Sequence, residues 1–325
     1  MRTVTTFATI AIALALTTQA HAQDWPTRPV TMVVPYAAGG PVDTVGRIQA
    51  ARLSEVLGQQ VVVENVGGAG GMTGAARAPK AAPDGYTFLL GGSAVLAQIP
   101  TFYKKPLYDA ATDFTPVALV TDSARVLIAR KDFPAATLKD FVAYTKQNHA
   151  TMQYGSPGVG SGAHVCNVLL ELAMGVKTTH IPYRGAGPAM QDLLGGRLDF
   201  MSEQISTAVP QIQAGTVKAL AILGPDRVSV LPDVVTAREG GLGDLDCGAW
   251  GAHVFPKGVS DAIVRRLAKA ASDTVDTPAV RERLAQVGVT VIPPERRSPE
   301  YLAKFIPSEI ERWGAAIKAS GASSD

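Results

Sequence analysis

Short runs of consecutive apolar residues alternate along the chain with longer stretches in which apolar positions return every three or four residues. Val30–Val34 is an apolar run that ends at Pro35 and the Gly39-Gly40 pair, and the spacing predicts a strand there. Over 44–57, Val45, Ile48, Leu53, Val56 and Leu57 share one helical face, and Gly58 is placed to terminate that helix. A strand over 61–64, a glycine-rich turn over 67–74, a helix over 73–82 and a strand over 86–90 follow. This alternation predicts an α/β unit with largely parallel pairing. The pattern restarts after Asp122. Strands are predicted over 125–130, 151–154, 178–183, 198–202, 217–223 and 250–255. Helices are predicted over 138–148, 163–174, 188–194, about 208–213, 262–274, 279–286 and 299–319. A second α/β unit therefore occupies roughly 125–245.

The N-terminus has a different character. Arg2 precedes a ten-residue apolar stretch over 7–16, and Ala20-His21-Ala22 fits a small-x-small cleavage site. Residues 1–22 are thus expected to be a secretory signal peptide, with Gln23 starting an exported mature chain. The apolar stretch falls short of the about 20 residues that span a bilayer. No cysteine lies near the cut to carry a lipid.

Composition narrows the function. Hydrophobic residues make up 46% of the 325 and charged residues 18%, as in a globular rather than a disordered chain. Thirty Lys and Arg balance twenty-eight Asp and Glu, with no basic run, so a nucleic-acid or anionic-membrane surface is not expected. Two cysteines can build neither a disulfide scaffold nor a four-thiolate zinc site. An oxidising compartment permits a Cys166–Cys247 bridge. The reading from sequence favours two free buried thiols.

Ligands of open α/β sheets bind beyond the carboxyl ends of the strands. Four glycine-bearing turns fall at such ends: 37–40, 91–93, 155–162 and 184–187. Helix N-termini there present unpaired N–H groups and a partial positive charge, which can hold an anion without a basic side chain. Enzyme signatures mostly fail. There is no phosphate loop of the Gly-x4-Gly-Lys-[Ser/Thr] kind and no Gly-x-Ser-x-Gly elbow. Gly158-Val-Gly160-Ser-Gly-Ala163 matches a loose dinucleotide fingerprint, with Arg184 placed for a 2′-phosphate, but lacks the acidic partner. The histidines form no metal-ligand spacing. His164 lies in the first turn of its helix, where it is expected to face a cleft, and Ser161 is a natural N-cap. Asp43 is expected to fix its loop, and Glu203-Gln204 to follow a strand into the cleft.

Several segments together carry a resemblance. They include Trp25-Pro-x-Arg-Pro29, Val34-Pro-Tyr-x-x-Gly-Gly-x-x-Asp43, Gly58-Gln-x-Val-Val-Val-Glu-Asn65 and Gly68-Ala-Gly-Gly71. Further on come Pro83-Asp-Gly-Tyr86, Asp113-Phe-x-Pro-Val117, His180-Ile-Pro-Tyr-Arg-Gly185, Asp192-Leu-Leu-Gly-Gly196 and the 250–256 segment. Over 25–313 the chain resembles the periplasmic solute receptors of tripartite tricarboxylate transporters, the Bordetella uptake gene receptors. The resemblance implies a two-lobed periplasmic binding protein type II-like α/β fold, each lobe a mixed, mostly parallel sheet flanked by helices. Lobe 1 would comprise 23–122 with 247–325, its C-terminal helices packing across both lobes, and lobe 2 would comprise 123–246. Hinges would lie near 118–126 and 246–255.

The resemblance further implies a monomer that captures a small carboxylate between the lobes and delivers it to membrane subunits of the transporter. It implies no cofactor, metal or nucleic acid. The ligand positions would be Tyr36, Ala37, Ala38, Gly39, Gly40 and Asp43, then Ser93 and Ala94. In lobe 2 they would be Ser156, Gly158, Gly160, Ser161 and His164, then Tyr183, Arg184, Gly185 and Glu203. Main-chain amides and small hydroxyls would do most of the gripping. Where the family commonly has Asp-Asn, this chain has Glu203-Gln204, and an apolar 94–98 replaces a polar stretch. That favours a ligand with an apolar or aromatic body over glutamate or citrate. The alternatives are an exported ester hydrolase built on Ser161 and His164, an NADP-dependent oxidoreductase, and a receptor feeding a signalling partner.

Overall fold

A computed structural model describes residues 25–321 and 323. The signal-peptide expectation lies outside the described residues. The strands are β1 (Val30–Val34), β2 (Val61–Asn65), β3 (Thr87–Gly92), β4 (Phe114–Ser123), β5 (Arg125–Arg130) and β6 (Gln153–Ser156). They continue as β7 (Thr179–Pro182), β8 (Phe200–Gln204), β9 (Val217–Ile222), β10 (Ala249–Pro256) and β11 (Val289–Val291). They form two sheets, ordered β11-β4-β10-β3-β1-β2 and β7-β6-β8-β5-β9.

The helices are α1 (Pro41–Leu57), α2 (Met72–Ala75), α3 (Ile99–Phe102), α4 (Leu138–Asn148) and α5 (Gly162–Met174). After them come α6 (Ala186–Leu194), α7 (Ile205–Gln213), α8 (Asp261–Asp276), α9 (Pro278–Gln286) and α10 (Pro299–Ser320).

Each sheet is covered on both faces, which explains why its strands read as continuous apolar runs. Alternation along the strand sorts the side chains between two layers. Met32, Val34, Phe88 and Leu90 pack against Leu53 of α1 and Leu267 of α8. Val33, Leu89 and Val254 point the other way, onto Leu302, Ile306 and Trp313 of α10. Val165 of α5 joins that second cluster, so α10 packs across to the other sheet's helix. In the second sheet Leu127 and Phe200 meet Phe141 of α4 and Leu170 of α5. Val126, Ile128 and Met201 meet Leu193 of α6 and Val209 of α7.

The chain passes from the first sheet to the second through Ala124 alone, between β4 and β5, and returns over 223–248. These crossings reshape the pairing. Parallel registers join β1 to β2 and β3, and β6 to β7 and β8. The other five pairings are antiparallel, so the parallel share is smaller than expected. Every antiparallel pairing involves a strand beside a crossing, β4, β5 or β10. The helix predicted over 73–82 closes after four residues, because Pro79 has no N–H to continue it and the chain tightens into i→i+3 bonds at Arg77 and Ala78.

The cysteines correct the expectation of free thiols. Cys166 of α5 and Cys247 on the return crossing form a disulfide with their Cα atoms 5.6 Å apart. Both are buried in one cluster, so the same packing that would bury two thiols brings them within bonding range.

Candidate functional site

Loops that follow β1, β2 and β3 meet loops that follow β6 and β7. The two sets press directly on each other. The Ala37 N–H donates to the Arg184 carbonyl at 3.2 Å, and the Tyr103 hydroxyl donates to the Val159 carbonyl at 2.8 Å. A β-carbon on Gly70 would stand 2.1 Å from the Val159 carbonyl oxygen, and Gly70 has φ of +64°. Only glycine fits that close approach and that left-handed backbone.

Behind this seam lies a cavity of about 70 Å³. Tyr36, Ser93, Ala94, Thr121, Ser123 and Trp250 face it from the first sheet's side. The Trp250 indole N–H is anchored on Glu309 of α10 at 2.8 Å. From the second sheet's side come Arg125, Ser161, Gly162, Ala163 and Glu203. The N-terminus of α5 opens on the cavity. The Ser161 hydroxyl caps it by accepting from the His164 N–H at 3.3 Å, leaving the first-turn N–H groups of Gly162 and Ala163 without intrahelical acceptors.

Arg125 is not among the expected ligand positions, yet it is a buried basic side chain on the cavity wall. It is 5% exposed, its Nη1 donates to the Ser202 carbonyl at 3.4 Å, and its Nε has no partner. A β-carbon at position 162 would lie 2.6 Å from Nη2, so Gly162 lets the guanidinium lie against the helix end. Burial holds the guanidinium below its usual range, against the opposing pull of Glu203 and Tyr36. Glu203 is 1% exposed. Its Oε1 accepts from the Thr207 hydroxyl at 2.7 Å and its Oε2 has no partner. Burial pushes its carboxyl up, and the Thr207 bond and Arg125 counter only part of this. Burial likewise pushes the Tyr36 phenol up.

Of the positions expected to bind ligand, Tyr36, Ser93, Ala94, Ser161 and Glu203 line the cavity. Ala37, Gly158, Gly160, Arg184 and Gly185 lie at the seam, where the lobes touch each other. Ala38 and Gly39 face a separate surface pocket beside Gly187. Gly40 sits against Ala186 as the residue before α1. Asp43 fixes its loop, accepting from the Gly39 N–H, the Asn65 amide and the Arg47 guanidinium, each at 3.0 Å. Burial pushes the Asp43 carboxyl up, but these partners outweigh it and hold it below its ordinary range. The Tyr183 hydroxyl donates to Asp192 at 2.5 Å.

His164 does not face the cavity. Its ring stacks on His180 at 4.2 Å and meets the Phe102 edge at 5.4 Å, while Nδ1 accepts the Gly160 N–H at 3.2 Å. Ser156 belongs to the same clasp, bonded to His180 Nε2 at 2.6 Å and accepting the Gly158 N–H at 3.1 Å. Ser161 and His164 are therefore joined through a helix cap rather than a hydroxyl–imidazole bond, which leaves a hydrolytic Ser–His pair without its geometry. Gly158 and Gly160 of the loose dinucleotide fingerprint lie at the seam, outside the cavity lining. Among the described residues no group of three or more His, Cys, Asp or Glu is placed to hold a metal, and no helix is long and apolar enough to cross a membrane.

A family model described as a tripartite tricarboxylate transporter family receptor matches residues 45–322. An Agrobacterium vitis protein, from the TAR-I ttuE-ttuC′ intergenic region, is 42% identical, aligned over 93% of this chain and 87% of its own. The periplasmic binding protein BugD superposes with a TM-score of 0.90 at 38% identity, covering 93% of this chain and all of its own. MatC of Rhodopseudomonas palustris, solved with bound malate, superposes with a TM-score of 0.87 at 40% identity, covering 90% and 100%.

Proposed function

The chain belongs to the tripartite tricarboxylate transporter family of receptors, and from that membership we propose that it captures a small carboxylate in the interlobe cavity and delivers it to the membrane subunits of such a transporter. It works in the periplasm, where the Cys166–Cys247 bridge is stable. The observation that carries the reading is a cavity between the two sheets on which both a helix N-terminus and a buried guanidinium converge. Both contribute positive potential, and both are screened from water, so an anion held there interacts more strongly than in solution.

The lobes part at the crossings near 118–126 and 246–255, admit the ligand, and close along the glycine seam. Closure follows from binding only if the ligand prefers the closed form, which supplies contacts from both lobes at once. Charge-assisted hydrogen bonds contribute about 1.5–3 kcal/mol each, so three or four of them suffice for micromolar binding at about 8 kcal/mol. The cavity's apolar wall, Leu90, Val45, Val289 and Trp250, suits a ligand with an apolar body.

The test is a thermal-shift screen over aliphatic and aromatic mono-, di- and tricarboxylates. A ligand present at a hundred times its Kd stabilises the fold by about 2.7 kcal/mol. Ala94→Trp, which fills the cavity from the first sheet's side, removes that stabilisation while leaving the unliganded protein folded. Absence of any stabilising carboxylate, or undiminished binding by Ala94→Trp, contradicts the reading.

A further inference from the structure

Two side chains in the cavity are almost completely buried and each keeps one polar atom unpartnered: Arg125 at Nε and Glu203 at Oε2. Both line the same space, and each feels the other's charge without a hydrogen bond between them. A native fold leaves such atoms orphaned when something else completes them. The guanidinium also lies against the N-terminus of α5, where a positive charge opposes the helix dipole. That unfavourable pairing is relieved by an anion placed between them.

Resting on the receptor reading above, we propose that Arg125 anchors the ligand's carboxylate and that Glu203 selects a hydroxyl on the same molecule, which makes the preferred ligand class a hydroxycarboxylate. The Arg125 guanidinium, whose Nη2 lies against Gly162, and the free N–H groups of Gly162 and Ala163 line one cavity and are the donors for one carboxylate. Glu203 Oε1 is committed to Thr207, so Oε2 is the atom that faces the ligand. A hydroxyl satisfies Oε2 in either protonation state, because it both donates and accepts. An ammonium needs the ionised carboxylate, which burial disfavours. A ligand with neither group leaves Oε2 orphaned in the closed cavity, and sites built around a polar partner reject analogues that lack it.

The experiment is calorimetric binding of two matched series, mandelate, phenylacetate and phenylglycine, and malate, succinate and aspartate. In the wild type the hydroxy acid of at least one series binds tenfold or more tighter than its deoxy and amino counterparts. In Glu203→Met the preference over the deoxy acid collapses to within threefold. In Arg125→Met binding of the whole series is lost, while a cooperative melting transition at no lower temperature shows the empty fold intact. If Arg125→Met does not fold, a crystal structure of the wild type with its tightest series member decides, with the carboxylate within 3.2 Å of an Arg125 nitrogen as the expected result. Equal binding of deoxy and hydroxy acids, a preference for the amino acid, unchanged affinity in Arg125→Met, or no binding by any of the six overturns the inference. The receptor reading falls separately, only if the broad carboxylate screen also finds nothing.

Discussion

Burial holds three imidazoles neutral. His164 and His253 are pushed down to about 4, and His180 to about 3 by burial together with its neighbour His164. An unfolded chain protonates each near pH 6.5. As pH falls from there toward 4, the unfolded state gains protons that the native state refuses, so stability is full above about 6.5 and is lost on acidification. His253 shows this in its simplest form, since neither ring nitrogen has a partner and the ring only meets the Phe88 edge at 5.2 Å. His253→Leu is expected to raise stability at pH 7 by about 1–2 kcal/mol, because no buried donor or acceptor is then left unsatisfied. It should also flatten the acid limb of the stability–pH curve by about one proton. Urea titrations at several pH values measure both; lower stability at pH 7 with an unchanged acid limb contradicts the assignment. At this scale the sequence is legible where a residue acts locally. Asp43 reads as a loop fastener because an acid in a helix's first turn finds N–H groups whatever the fold. Arg125 is illegible because it heads an apolar strand, and strand ends commonly meet water. Only the single-residue crossing at Ala124 carries it between the lobes.

Among elements, the disulfide connects α5, whose N-terminus borders the cavity, to the return crossing. It closes a loop with a sequence separation of 81 residues. Replacing both cysteines with alanine is expected to cost about 2–5 kcal/mol, read as a lower melting temperature that reductant does not change further. A variant as stable as the oxidised parent would show that the bridge constrains little. The cysteine pairing was beyond sequence because it depends on how the return crossing docks against α4 and α5. Most elements were legible from periodicity: β1, β5, α4 and α10 fall where the apolar pattern puts them. Strand β4 escaped because Pro116 and the polar Thr121-Asp122 interrupt its pattern. The fold tolerates Pro116 beside a register irregularity opposite Val254, where a ladder N–H is not required. Strand β11 is only three residues long, and the π-helical turn over Ala94–Gln98 carries no cap to announce it.

For the whole molecule, the proposed cycle makes closing and binding separate tasks that share one set of loops. The glycine turns read from sequence as ligand cradles are divided between them, most serving the contact of lobe with lobe and fewer the cavity wall. The turn residues alone cannot reveal that division, since both uses demand close backbone approach. Gly70 separates the tasks experimentally, because it touches Val159 across the seam and does not line the cavity. Gly70→Ala should weaken ligand binding tenfold or more and leave the protein's radius of gyration insensitive to ligand in small-angle scattering, whereas the wild type contracts. Wild-type affinity in Gly70→Ala would mean that closure along this seam does not contribute to capture.

The measurement that bears most directly on the central claim is a crystal structure of the wild-type protein with a carboxylate found by the thermal-shift screen. Density for the ligand is expected between Tyr36, Ser93, Ser161 and Arg125, with its carboxylate facing the N-terminus of α5. Density on the outer surface, or a ligand in the cleft whose carboxylate points away from both α5 and Arg125, would contradict the account.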